Sequence, residues 1–436
     1  MPAKRSNDRA ERREISKPIG GDVFRQRVLA PDPSSPIPAA FVRSPSWHPS
    51  LYRKRIDRVE KARPGDLLAV YGPNDRVLGY GLYNPRSEIA VRMVFYGESL
   101  PDDAAWQTKL DEAVTLRRDM LRLNDLTDAY RVIHAEADGL PGLVVDRLGD
   151  VLSAEAFTLG MYQRAEAILA RLAPAVSTKF TVVRPSPQFL SQEGYKPPGF
   201  ASDDLPQEVV IREYGTRFRV RFVGGHKTGF FCDQRENRKR LAEFCDGRSV
   251  LDLCCYTGGF AVQAKCLGKA AEVIGVDLDE EPLQLARENA NLNQARVRFV
   301  QDDAFAYMRE MLRLGRRYDV VVLDPPKLIR SRDELEDGTR RHFDLNRLAM
   351  RLVKPGGLFL SCCCSGLLKE ADFVQLLRQS AYQAGDLISA ATEDTAERHA
   401  ARPMQILART GAAADHPVSA TVPETEYLKA VWMRVG

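Results

Sequence analysis

Three consecutive cysteines, Cys362, Cys363 and Cys364, close the apolar run "GLFLSCCCSG" in a chain of 436 residues that holds eight cysteines in all. A thiol in such a place can bind a metal, fill a core or attack an electrophile. Zinc is disfavoured, because the sequence has no C-x-x-C pair and adjacent cysteines on a strand cannot converge on one tetrahedral ion. No metal is expected. Alternation along a strand turns Cys362 and Cys364 to one face and Cys363 to the other. Cys254, Cys255 and Cys266 read as small core residues.

Four further apolar runs end in polar residues. After "VLDL", which contains Asp252, comes "CCYTGGF", where Gly258 and Gly259 let the backbone turn tightly and approach a ligand at a helix N-terminus. The next run ends in Asp277, an acid suited to accepting hydrogen bonds from both ribose hydroxyls. The third is followed by Asp302 and Asp303, either of which can accept from an adenine amino group. The fourth ends "LDPPK", with Asp324 at the strand end and Pro325 and Pro326 stiffening the loop. No G-x-G-x-x-G follows the first run and no P-loop is present, so a dinucleotide and a nucleoside triphosphate are both disfavoured. What remains is a nucleoside-bearing cofactor without pyrophosphate, the profile of S-adenosylmethionine.

The elements that must hold these residues alternate strand with helix beyond Gly225. That rhythm predicts an α/β, Rossmann-like doubly wound domain, with ligands at the carboxyl ends of its strands. Upstream, "DLLAVYG", "VLGYGLY" and "IAVRMVFYG" read as strands of a small β module. Asp103–Leu123 follows as an amphipathic helix with Arg117, Arg118 and Arg122 on its polar side, and then come alternating strands and helices of an α+β region. The expected division is a disordered basic, Pro-rich tail at 1–40, the β module at 41–102, the α+β region at 103–222 and the doubly wound domain at 223–436. Hydrophobic residues make up 44% and charged residues 28%, and no apolar run reaches 18 residues, so no membrane partner is expected. The N-terminus has no apolar signal region, which points to the cytoplasm. A net charge of +4 neither demands nor excludes a polyanionic partner.

The stretches "YRVIHAEADGLPGLVVDRLGD", "GGHKTGFFCDQRENR", "VLDLCCYTGGFAV", "VVVLDPPKL", "SCCCSGL" and "DHPV…YLKA" resemble, in order, the class I S-adenosylmethionine-dependent methyltransferases of the 23S ribosomal RNA 5-methylcytosine type. The resemblance implies that the β module is a PUA-like RNA-binding domain with "WHPSLY" at its entrance, and that 23S ribosomal RNA is the partner; a homodimer stays open. It implies that Asp252, Tyr256, Thr257, Gly258 and Gly259 wrap the methionine part of the cofactor, with Asp277 at the ribose and Asp303 at the adenine. Asp324 would stand between cofactor and target base. Gln234 and Arg235 would help close the cofactor pocket, and Lys227, Pro325, Pro326 and Lys327 would meet the substrate.

Carbon 5 of cytosine is a poor nucleophile. A thiolate adding to C6 turns the ring into an enamine and raises electron density at C5, and loss of the C5 proton later expels the thiol. An acid near N3, such as Asp324, stabilises the developing charge. Cys364 is the expected nucleophile: "Cys-Ser-Gly" aligns with the family motif, and the residue lies nearest the strand's carboxyl end. Lys327, a water and Cys362 are each open as the base that takes the C5 proton. Two other readings compete: methylation of a purine nitrogen, which needs no thiolate, and a non-catalytic RNA-binding scaffold.

Overall fold

The computed structural model describes residues 21–222, 229–385, 387–388, 398–399 and 401–436. Lys227 and residues 1–20 of the expected tail lie outside these.

Part of the segment expected to be a disordered tail packs instead, with residues 32–36 left exposed. Val23 and Leu29 are buried, Gln163 Nε2 donates to the Val23 carbonyl at 2.6 Å, Arg27 pairs with Asp66 at 2.6 Å, and Ala39–Val42 is already a strand. Isolated apolar residues among prolines and serines hide this contribution from any compositional reading.

The strand Ala39–Val42 opens a six-stranded sheet. Three of its members, Leu67–Tyr71, Val77–Tyr83 and Ile89–Tyr96, are the three expected runs. Alternation splits the sheet between two cores. Leu68 and Val70 join Ala40, Leu51 and Val91 in a small interior, while Leu67 and Ala69 face the larger core of the middle region. That core centres on the helix Asp103–Thr115, whose Trp106, Leu110 and Val114 pack with Ile168, Leu169 and Leu172 of the helix Ala165–Ala175. The helix starts at Asp102, whose side chain accepts from Ala105 N at 2.8 Å. Arg117, expected on the polar side, is instead fully buried and grips Asp138 with two bonds of 2.6 and 2.9 Å.

The doubly wound domain is built on seven strands: β1 Ser249–Leu253, β2 Glu272–Asp277, β3 Arg298–Gln301, β4 Tyr318–Leu323, β5 Val353–Cys363, β6 Met404–Thr410 and β7 Lys429–Val435. Their spatial order is β3-β2-β1-β4-β5-β7-β6. The five strands from β3 to β5 run parallel, and β7 and β6 pair antiparallel at the edge. The helices α1 Gly259–Cys266 and α2 Glu280–Leu292 follow β1 and β2, α3 Ala304–Arg313 follows β3, and α4 Leu335–Arg351 and α5 Glu370–Tyr382 follow β4 and β5. Near-continuous apolar strands are what a sheet covered on both faces requires. On β5, Phe359 and Cys363 enter one core and Leu358, Leu360 and Cys362 the other, as alternation predicts.

Candidate active site

Register gathers the chemistry at one end of the sheet. Leu253 pairs with Val276 on β2 and with Leu323 on β4, and Leu323 pairs with Ser361 on β5. One residue further on, Asp277 and Cys362 close the register on β2 and β5, and Cys254 and Asp324 stand just past the ends of β1 and β4 between them. Electrostatics agrees: burial first, then Asp277, Asp324, Asp252 and Asp303 in turn, push the Cys254 thiol upward. The strand-end acids expected from sequence thus share one small volume.

The β1–α1 turn is shaped by Asp277. Its Oδ2 accepts from Tyr256 N at 2.8 Å and its Oδ1 from Asp279 N at 3.1 Å. Cys254 and Tyr256 are held at φ of 62° and 49°, backbone strain of the kind that clusters at functional sites. Gly258 has φ +80°, and a Cβ there would meet Phe299 at 3.1 Å and Ala286 at 3.2 Å, so only glycine fits. Thr257 is buried, and its carbonyl accepts from Asn289 Nδ2 at 3.0 Å. Asp252 is buried beneath the turn and accepts from Ala261 N at 2.9 Å. Burial, with Asp324 and Asp277 nearby, pushes its carboxyl well above the ordinary range, and its Oδ1 has no partner within the protein. Asp303 is exposed and caps α3, accepting from Ala306 N at 3.1 Å.

These residues fit S-adenosylmethionine. A glycine turn admits close backbone approach, a cluster of carboxylates suits a sulfonium cation and a ribose diol, and the partnerless oxygen of Asp252 is a buried polar atom that a ligand can satisfy.

The three cysteines are unequal. Cys362 and Cys363 are fully buried, whereas Cys364 lies one residue beyond β5 and is half-buried. Burial raises the Cys362 thiol far above its usual range, with Asp324 adding to the rise. A protonated, inaccessible thiol suits neither attack nor proton removal, which sets Cys362 aside as the helper base. Cys363 points the other way, its Sγ 3.6 Å from His342 Nε2. Pro325 is buried, and Pro326 and Lys327 are exposed on the loop after β4.

Gln234 and Arg235 part company. Gln234 Nε2 donates to Asp324 Oδ2 at 3.0 Å, and the Gln234 side chain also bonds Cys362, so it orients the acid between β4 and β5. Arg235 corrects the expectation of a cofactor contact. Its side chain is 0% exposed and forks onto Asp415 at 3.0 and 2.9 Å. Asp415 also accepts from Arg131 N at 2.8 Å and His416 Nδ1 at 3.2 Å, and its carbonyl accepts from Arg117 at 2.7 Å. A buried polar network of this kind ties the middle region to the doubly wound domain. Sequence reasoning also passed over Lys429, the first residue of β7, which is 6% exposed; a lysine opening the run "KAVWMRV" was the available signal.

Comparison with known proteins agrees with this picture. Residues 184–396 match a family model of S-adenosylmethionine-dependent methyltransferases, and residues 46–95 match a PUA-like domain. The Ribosomal RNA large subunit methyltransferase I of Salmonella arizonae is 34% identical over 395 residues, 89% of this chain and 94% of that protein. Its namesake in Shewanella frigidimarina is 35% identical over 396 residues, 89% and 95% of the two chains. Among solved structures, a Streptococcus mutans protein assigned as a SAM-dependent methyltransferase gives a TM-score of 0.71 at 18% identity, covering 91% of this chain and 100% of that one. Another, described as a methyltransferase complexed with SAH, gives 0.70 at 18% identity, covering 91% and 99%. At such identity these two bear on the fold.

Proposed function

This chain belongs to the S-adenosylmethionine-dependent ribosomal RNA large subunit methyltransferases, and we propose that it forms 5-methylcytosine in 23S ribosomal RNA through a covalent adduct with Cys364. The observation that carries the proposal is the placing of the one half-buried thiol of the triplet just past β5, beside a strand end that presents Asp324.

Cys364 adds to C6 of a cytosine taken out of its stack. Asp324, steadied by Gln234, acts as the acid that donates a proton to N3 and so offsets the negative charge that the addition develops. The β1–α1 turn, Asp277 and Asp303 would hold S-adenosylmethionine, whose sulfonium methyl group would be transferred to the activated C5. A water or Lys327 takes the C5 proton, the C6–S bond breaks, Cys364 leaves as thiolate and the aromatic ring is restored. The PUA-like module, proposed to span 41–102, presents Trp47 at 83% exposure, a ring on which a base can stack, and the basic run Arg53–Arg55, charge that suits phosphate.

The test is Cys364→Ala in a methyl-transfer assay on 23S ribosomal RNA fragments. Turnover is expected to vanish while S-adenosylmethionine binding is kept; near-normal turnover sinks the proposal.

A further inference from the structure

Lys429 is a buried cation that the mechanism above leaves unused. Its backbone pairs with Cys363 across β5 and β7, yet its Nζ donates to the carbonyl of Ser365 at 2.6 Å. The side chain therefore runs along the end of β5 from the level of residue 363 to that of residue 365, and passes residue 364 on the way.

Burying an ammonium is costly unless an anion compensates it. Among the described residues no carboxylate forms an ion pair with Lys429, and Glu426 and Glu370 act on it only from further away. The other titratable groups that face it are Cys363 at the end of β5, Cys364 just beyond it and His342 on α4. Burial drives the Lys429 ammonium down, and the two thiols oppose that drive ahead of either glutamate. His342 is held neutral by burial and by Lys429 itself, so it offers no negative charge. Cys363 is fully buried against His342, and burial, with Asp324 adding to it, pushes its thiol up by more than Lys429 and Ser365 draw it down. Cys364, half-buried at the strand's open end, is the group left to carry the compensating charge.

We propose that the Lys429 ammonium is the fixed counter-charge of the Cys364 thiolate, a positioning residue that keeps the nucleophile ionised without touching the base. The proposal rests on the reading of Cys364 as nucleophile. Lys429 keeps its proton throughout, and no bond to it forms or breaks.

The experiment is the pH dependence of iodoacetamide alkylation at Cys364 in the full-length protein, read by fragment mass spectrometry that separates residues 362, 363 and 364. Lys429→Met is expected to raise the apparent thiol pKa by about one unit, a roughly tenfold loss of thiolate near neutral pH. The acid limb of the methylation profile should move with it. Lys429→Arg keeps the charge and should restore both profiles, a rescue that a packing role would not give. An unchanged alkylation profile in folded Lys429→Met overturns the counter-charge and leaves the nucleophile reading standing. Normal turnover in Cys364→Ser overturns the nucleophile reading and, with it, this role for Lys429.

Discussion

Replacing Arg235 with methionine removes a guanidinium whose two bonds to Asp415, at 3.0 and 2.9 Å, join side chains that are both 0% exposed. Methionine fills much of the volume, so the loss is electrostatic: Asp415 stays buried without the guanidinium that forks onto it, and keeps only His416 as a paired side chain. Breaking a buried pair from one side costs about 3–5 kcal/mol. Arg131 N and His416 Nδ1 still donate to Asp415, which places the expected cost at the lower end, about 3 kcal/mol. The unfolding entropy of a chain of 436 residues corresponds to about 1 °C per kcal/mol, so the melting transition should fall by roughly 3 °C. Calorimetry reads that shift, and titration with S-adenosylmethionine well below the transition reads the site. The expected result is a lower melting temperature with unchanged cofactor affinity, and a second substitution, Asp415→Leu, should recover part of the loss. An unchanged melting temperature with a tenfold weaker cofactor would return Arg235 to the binding site and refute the structural role.

Two other outcomes follow from buried charges. Burial, aided by Arg131 and His416, lowers the pKa of His134 to about 2, and burial with Lys429 lowers that of His342 to about 4, from the ordinary 6.5. Between those values the unfolded chain binds more protons, so stability is full above about pH 6.5 and falls on acidification, about tenfold in the folding equilibrium per pH unit for each residue. Urea midpoints measured from neutral pH down to about pH 4.5 should show this slope and His134→Gln should flatten it, whereas pH-independent midpoints would contradict it. Asp277→Asn keeps an oxygen for Tyr256 N but loses the charge, and calorimetric titration should show S-adenosylmethionine affinity reduced about ten- to a hundredfold. Equal affinity would remove Asp277 from the site.

Much of the site was legible because strand ends are local. An apolar run followed by an acid announces both the strand and the group it presents, so Asp277, Asp303 and Asp324 could be placed from a few residues each. Cys364 was separable from its neighbours by alternation and by its place at the end of the run. Long-range pairing was not legible. Nothing beside Arg235 announces Asp415, 180 positions away, and nothing beside Arg117 shows that it turns inward to Asp138. Polar helix residues are solvated by default in a periodicity reading, and only the partner reveals that they are core. The segment 21–40 misled for a related reason. Its apolar residues are too few to form a core of their own, and Val23 and Leu29 lend themselves to a core assembled by residues 67–195.

The central claim is that Cys364 makes 5-methylcytosine in 23S ribosomal RNA. Bisulfite mapping of that RNA, from cells carrying the intact chain, cells lacking it and cells carrying only Cys364→Ser, measures this directly. One cytosine is expected to be methylated with the intact chain and unmethylated in both other strains. A 5-methylcytosine pattern identical in all three, or retained in the Cys364→Ser strain, would contradict it.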